Sequence, residues 1–283
     1  MIKQAHYCSI TFIMLIVFCC DSYSQSAKMI DVGGYKLEVQ VAGSGSPTVV
    51  FEAGMGDDYS SWSTIMPFIT QFTSAVAYSR AGNGKSEESV FPRSYKQIVS
   101  ELRTLLDSLD GVNPPFVLVG HSVGSIIVRY YASTFENEVS GLVIVDGSHE
   151  QQYSRFKAVD PKFWEEMMAG RSKFYADQSP SIQSEGESFL QLQLGKKVLP
   201  FQLPDIPIVV LTSTSLSGWI WTAEIKKVWR KMHSEWFESS LNGMHIVTNK
   251  SGHYIHKSEP ELVVDAIKYV VNYVRTDTTK SKK

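Results

Sequence analysis

Residues 120–124 read Gly-His-Ser-Val-Gly, directly after the apolar run 117–119 and directly before an apolar helical segment, 125–132. A serine flanked in this way, at a strand-to-helix junction, turns its hydroxyl out of a sheet edge. The turn strains the serine backbone, and a side chain at Gly120 or Gly124 would collide with the neighbouring strand or helix. The hydroxyl then stands at a helix N-terminus, where negative charge is favoured. Ser122 is therefore the candidate nucleophile.

A serine hydroxyl is a weak nucleophile at neutral pH, so it needs a base, a group to orient that base, and donors for the oxyanion. In a strand–turn–helix site of this kind the base comes last in the chain, in a loop before the final helix. His253, in Ser-Gly-His-Tyr-Ile-His, occupies that place. His245 falls inside a predicted strand and reads as packing. His256 can line the pocket or cap a helix, and His121 is expected to point away from the nucleophile. The orienting acid should lie between Ser122 and His253, at the carboxyl end of a strand. Asp146 ends the strand 141–145, whereas the segment after strand 206–211 has no carboxylate until Glu224. Asp146 is the first choice and Glu224 the alternative; Asp205 precedes its strand and is badly placed. The oxyanion donors are expected to be the backbone N–H groups of Val123 and of Met55, in the Glu-Ala-Gly-Met-Gly loop after strand 48–53.

These residues need a scaffold. The alternation over 28–42 around Gly33-Gly34 predicts a hairpin. Strands are predicted at 48–53, 75–79, 206–211 and 244–248. Helices are predicted from Asp57 or Asp58 to about Phe72, from Ser94 along the stripe Ile98, Leu102, Leu105, Leu106 and Leu109, over 217–241, and over 259–273. Short apolar strands separated by helices imply an α/β fold with a mostly parallel central sheet flanked by helices. Residues 147–204 lack strand patterning and are rich in aromatics and methionine. They are too long for a simple connection and read as a helical cap over the sheet's carboxyl edge.

With these motifs in hand, the chain resembles the α/β-hydrolase superfamily, in the branch that carries a cap, over about residues 30–275. The resemblance rests on Phe-Glu-Ala-Gly-Met-Gly, Ser-Arg-Ala-Gly-Asn-Gly-Lys-Ser, Gly-His-Ser-Val-Gly and Ser-Gly-His-Tyr-Ile-His. Glu52 stands where many members carry a histidine, which implies altered local hydrogen bonding and leaves the oxyanion amide in place. The acid is missing after strand 206–211, and some members place it one strand earlier, which matches Asp146. The resemblance implies a serine hydrolase, of the carboxylesterase type, acting on a small-molecule acyl substrate without metal or organic cofactor. An amidase, lactonase or peptidase with the same triad, an acyl transferase, and a non-catalytic binding protein of the same fold are the alternatives. Related folds that open epoxides or remove halide use aspartate at the elbow, so Ser122 disfavours those chemistries.

The bulk properties agree. At 43% hydrophobic residues the 283-residue chain can fill one sizeable core, and a net charge of −2 gives no basic field for nucleic acid. Lys3, the apolar run 10–20 and the small residues Ser22 and Ser24 resemble a signal peptide cleaved near Ser24, which would make the protein secreted or periplasmic. That run is too short to span a membrane comfortably. An uncleaved anchor, or a lipid on Cys19 or Cys20, ranks second. Cys8, Cys19 and Cys20 all fall in the leader, so the mature chain, residues 25–283, would hold neither a disulfide nor a cysteine metal site.

Overall fold

The apolar runs assemble into one sheet. The computed structural model describes residues 27–196, 202–217, 221–238 and 240–280, so the expected leader lies outside the described residues. The strands are β1 (Lys28–Asp31), β2 (Lys36–Ala42), β3 (Thr48–Glu52), β4 (Ala75–Tyr78), β5 (Phe116–His121), β6 (Val139–Val145), β7 (Ile208–Ser213) and β8 (Gly243–Thr248). Their spatial order is β1-β2-β4-β3-β5-β6-β7-β8. The β1–β2 and β2–β4 pairs are antiparallel, and every pair from β4 to β8 is parallel. Strands β3, β5 and β7 are buried at every position, as central strands covered on both faces must be. Strand β7 begins two residues later than its apolar run suggests. Pro207 has no N–H to give a ladder, and its carbonyl instead accepts from the Leu142 N–H at 2.9 Å.

The helices are α1 (Met66–Ile69), α2 (Tyr95–Asp107), α3 (Gly124–Thr134), α4 (Gln152–Val159), α5 (Pro161–Ala176), α6 (Pro180–Gln193), α7 (Ala223–Phe237), α8 (Ile255–Ser258) and α9 (Pro260–Lys280). Alternate strand residues feed two cores, as a two-residue period dictates. Val50, Leu118, Leu142 and Val210 pack with α2 and α3. Val49, Val117, Val143 and Val209 pack with α1 and α9. Caps fix the helix starts: Ser94 accepts from the Gln97 N–H, Asp160 from Phe163 and Thr222 from Ile225.

Three helical expectations change in detail. The segment after Asp58 forms only a short 3-10 turn (Tyr59–Trp62) and then α1, each a single turn. The helix expected over 217–241 is the shorter α7, started by the Thr222 cap; Trp219 lies outside the described residues. The last helix runs on to Lys280. Between β6 and β7 stand α4, α5 and α6. Their aromatic cluster is not self-contained: Phe156, Phe163 and Met167 pack with Ile225, Trp229 and Met232 of α7. No helix among the described residues is long and apolar enough to cross a membrane.

Candidate active site

Ser122 sits at the tip of β5 with φ +53°, in the left-handed region. The neighbouring backbone enforces that conformation. The Ser122 N–H donates to the Val145 carbonyl at 3.2 Å, and its own carbonyl accepts from the Ser148 N–H at 2.8 Å. A Cβ on Gly124 would lie 2.5 Å from the Glu52 carbonyl oxygen, and one on Gly120 would lie 2.7 Å from Val128. The two glycines thus allow the close approach of β3, β5 and α3 on which the turn depends.

Asp146 ends β6, again with positive φ (+42°), and is fully buried. Its Oδ1 accepts from the Ser213 N–H at 2.9 Å and from the Trp229 indole N–H at 2.8 Å. Its Oδ2 lies 2.7 Å from His253 Nδ1. Burial pushes the carboxyl pKa up. The hydrogen bond and charge of His253, with the charges of His233 and Lys226, outweigh it and leave the group below the usual carboxylate value. An ionised carboxylate can only accept, so Nδ1 carries the proton and Nε2 presents a lone pair. Glu224, the alternative acid, is exposed in the first turn of α7. Asp205 accepts from the Leu241 N–H at 3.3 Å.

Trp229 and Lys226 were not singled out from the sequence. Lys226 is buried, donates to the Ser213 carbonyl at 3.0 Å and packs over the Trp221 ring at 4.1 Å. Burial lowers its pKa, and Asp146 works against that. A signal was present: Lys226, Trp229 and His233 recur at i, i+3 and i+7, one face of α7. The buried stripe of that helix therefore carries polar hydrogens where aliphatic groups would suffice for packing. His233, fully buried, donates from Nε2 to the Gly147 carbonyl at 2.7 Å and meets the Thr212 hydroxyl at 2.6 Å.

The other histidines separate by position. His121, expected to point away from the nucleophile, lines the same cavity as Ser122. Its ring packs 4.6 Å from that of His253, and its Nε2 donates to the His253 carbonyl at 3.1 Å. Burial, with the charges of His253 and His256, holds it well below the usual histidine value. His245 is a packing residue as expected, with Nε2 2.7 Å from the Thr212 hydroxyl. His256 is buried against Trp62 and meets the Ser61 hydroxyl at 3.1 Å. Burial pushes it down to about 3.

Ser122, His253, Val123, Gly54 and Met55 all line one cavity of about 490 Å³. Phe156, Met167, Trp221 and Trp229 supply apolar wall, so the aromatic cluster under the cap is both packing and lining. Beneath the Met55 loop, Glu52 and Arg80 form a fully buried ion pair with Nη1 2.5 Å from Oε1, and the Tyr78 hydroxyl donates to the other Glu52 oxygen. Among the described residues no His, Cys, Asp or Glu group is arranged to hold a metal ion.

A family model described as the alpha/beta hydrolase fold matches residues 47–197. An uncharacterised protein of Bacillus subtilis (strain 168), YqjL, is 31% identical over 231 residues, covering 80% of this chain and 83% of that protein. The chain belongs to the alpha/beta hydrolase family. A solved thermophilic esterase from Thermogutta terrifontis superposes with TM-score 0.64 at 17% identity, covering 88% of this chain and 99% of that one. A haloalkane dehalogenase, a DbeA loop variant from Bradyrhizobium elkanii, gives TM-score 0.69 at 14% identity over 90% and 99%. At these identities the two structures speak for the fold alone.

Proposed function

We propose that the protein is a serine hydrolase that cleaves a carboxylic ester through Ser122, His253 and Asp146. The observation that carries this reading is the 2.7 Å contact from Asp146, at the end of β6, to His253, which lines the same cavity as Ser122. His253 Nε2 takes the hydroxyl proton as Ser122 Oγ attacks the ester carbonyl. Asp146 keeps the imidazole in the needed tautomer and stabilises the imidazolium. The Met55 and Val123 N–H groups receive the oxyanion. Collapse of the tetrahedral intermediate releases the alcohol, which takes the proton back from His253. Water, deprotonated in turn by His253, attacks the acyl-enzyme carbonyl, and the acid is freed as the bond to Ser122 Oγ breaks and Oγ takes that proton from His253. No step in this sequence draws on a metal or organic cofactor. The apolar wall under the cap suits a small-molecule acyl substrate with an aliphatic or aromatic group. The leader pattern supports export after cleavage near Ser24, and fractionation of cells expressing the full chain tests that part.

The catalytic reading is tested with residues 25–283 and p-nitrophenyl esters of increasing acyl length, with fluorophosphonate labelling in parallel. Turnover and labelling that both vanish in Ser122→Ala are expected. Absence of both from the wild-type protein would refute it and favour a binding protein of the same fold.

A further inference from the structure

We infer that Arg80 is a positioning residue for the oxyanion site, and that Glu185 ties this positioning to the cap. The inference rests on the reading of Met55 as an oxyanion donor. Arg80 ends the strand–loop junction after β4, and its guanidinium is fully buried. Nη1 donates to Glu52 Oε1 at 2.5 Å and to the Ala53 carbonyl at 2.7 Å. Nη2 donates to the Gly54 carbonyl at 2.7 Å and lies 2.8 Å from Glu185 Oε1. Nε donates to the same Glu185 carboxylate at 3.0 Å. One side chain thus grips two consecutive carbonyls of the loop, the strand that leads into it and a helix of the cap.

The Gly54 contact bears on the chemistry. The Gly54 carbonyl and the Met55 N–H belong to one peptide unit, and that bond is trans, since the cis bonds of the chain lie elsewhere. In a planar trans peptide the C=O and N–H point in opposite directions. Arg80, by drawing the Gly54 oxygen towards itself, turns the Met55 hydrogen away from itself. Gly54 leaves this unit loosely constrained on one side, and among the described residues the same oxygen accepts only one further bond, from the Asp57 N–H at 3.3 Å, against 2.7 Å from Arg80. The fork is held from the other side by Glu185, in the middle of α6 and fully buried. A displacement of α6 that withdrew this carboxylate would loosen the hold on the Gly54–Met55 unit, so the cap contributes to the oxyanion site without touching it.

The test uses Arg80→Lys and Glu185→Gln in the mature chain. Lysine keeps the charge but has no fork to hold carbonyl and carboxylate together. Steady-state kinetics on p-nitrophenyl butyrate are normalised to sites titrated to completion with a fluorophosphonate. Inhibition by a trifluoromethyl ketone, which forms an oxyanion on Ser122, is compared with the matching methyl ketone. For Arg80→Lys, kcat per titrated site should fall ~100-fold. KM and methyl-ketone affinity should change by no more than about threefold, with the loss appearing in trifluoromethyl-ketone binding. Glu185→Gln should give the same signature, with a loss of roughly tenfold or less. Wild-type kcat and trifluoromethyl-ketone affinity in Arg80→Lys, or a rise in KM with kcat unchanged, would overturn the proposal. Should Arg80→Lys fail to fold, Glu185→Gln decides it on the same two readouts. A wild-type protein that no fluorophosphonate labels would instead sink the underlying serine-hydrolase reading, whereas labelled wild type with unaltered variants sinks only the role of Arg80.

Discussion

Trp229→Phe removes one donor from the Asp146 carboxylate while keeping an aromatic ring in place. The indole N–H reaches Oδ1 at 2.8 Å, and without it that oxygen of the fully buried Asp146 keeps only the Ser213 N–H. A hydrogen bond to a charged group contributes about 1.5–3 kcal/mol. The smaller ring also leaves space beside Phe156 and His233, at a cost of about 1 kcal/mol that does not depend on pH. Losing a donor to the charged form raises the Asp146 pKa. In the wild type that value is depressed in the folded state, so the stability it contributes is full above the unfolded carboxyl value of 3.8 and lost as the pH falls through the lower folded value. The substitution raises the folded value. The gap between wild type and variant is therefore complete at pH 7 and closes as the pH drops through the variant's raised pKa. Urea unfolding followed by circular dichroism at several pH values measures the gap, and contributions common to both proteins cancel in the difference. An expected gap of about 2.5–4 kcal/mol at pH 7 should shrink towards the packing residue of about 1 kcal/mol in acid. A gap that stays constant with pH, or falls below about 0.5 kcal/mol at pH 7, refutes the assignment of this indole to the carboxylate.

Asp146→Asn should lower kcat on p-nitrophenyl esters by ~10⁴-fold, since an amide favours the wrong imidazole tautomer. Glu224→Gln beside it should match wild type, and the reverse ranking would move the acid to α7. Gly124→Ala places a Cβ 2.5 Å from the Glu52 carbonyl and 2.7 Å from that of Ala53, both main-chain atoms that cannot rotate away. A loss of about 3 kcal/mol is expected in thermal or urea unfolding, and a neutral result would show that the turn relaxes freely. Burial pushes His149 down to about 4 and His233 and His256 to about 3 in the folded protein. The unfolded chain takes up these protons below about 6.5 and the native one does not, so stability present above 6.5 is lost as the pH falls. Each such group contributes a slope of up to about 1.4 kcal/mol per pH unit between its unfolded and folded values, and a urea midpoint unchanged from pH 7 to pH 5 would contradict their burial as neutral rings.

The parts of the fold read directly from the sequence are those whose signals are local. The Ser122 turn announces itself through two glycines and an apolar run, and Asp146 through its place at the end of β6. The stripe of α2 and the helix start at Ser94 are written in a few adjacent residues. Less was legible where partners are distant in the chain. Arg80 and Glu185 are 105 residues apart, and only the folding of the cap onto the sheet brings them together. Trp229 reaches Asp146 across 83 residues. The β7 boundary was misplaced because hydrophobicity extends through Pro207, whereas a ladder depends on N–H groups. The partners of the His121 ring were not legible, because its immediate neighbours fix the backbone of the turn, while the loop around His253 decides what the ring meets.

On the proposed triad, with its acid at the end of β6, nucleophile and acid come from two strands that are direct neighbours, Val119 beside Val143 and His121 beside Val145. Their separation is therefore set by the spacing of a hydrogen-bonded ladder, the least adjustable dimension of a sheet. To Asp146 the tip of β7 gives a main-chain N–H, from Ser213, whose hydroxyl also donates to the Ser251 carbonyl in the His253 loop at 2.7 Å. The chain that follows, from residue 214 to the Thr222 cap, is released from carrying a reactive group. It forms part of the cavity wall through Ser217 and Trp221. This makes it the stretch where sequence and length can be varied to reshape the wall without moving the reacting atoms, and the natural place to begin a library for altered substrate range.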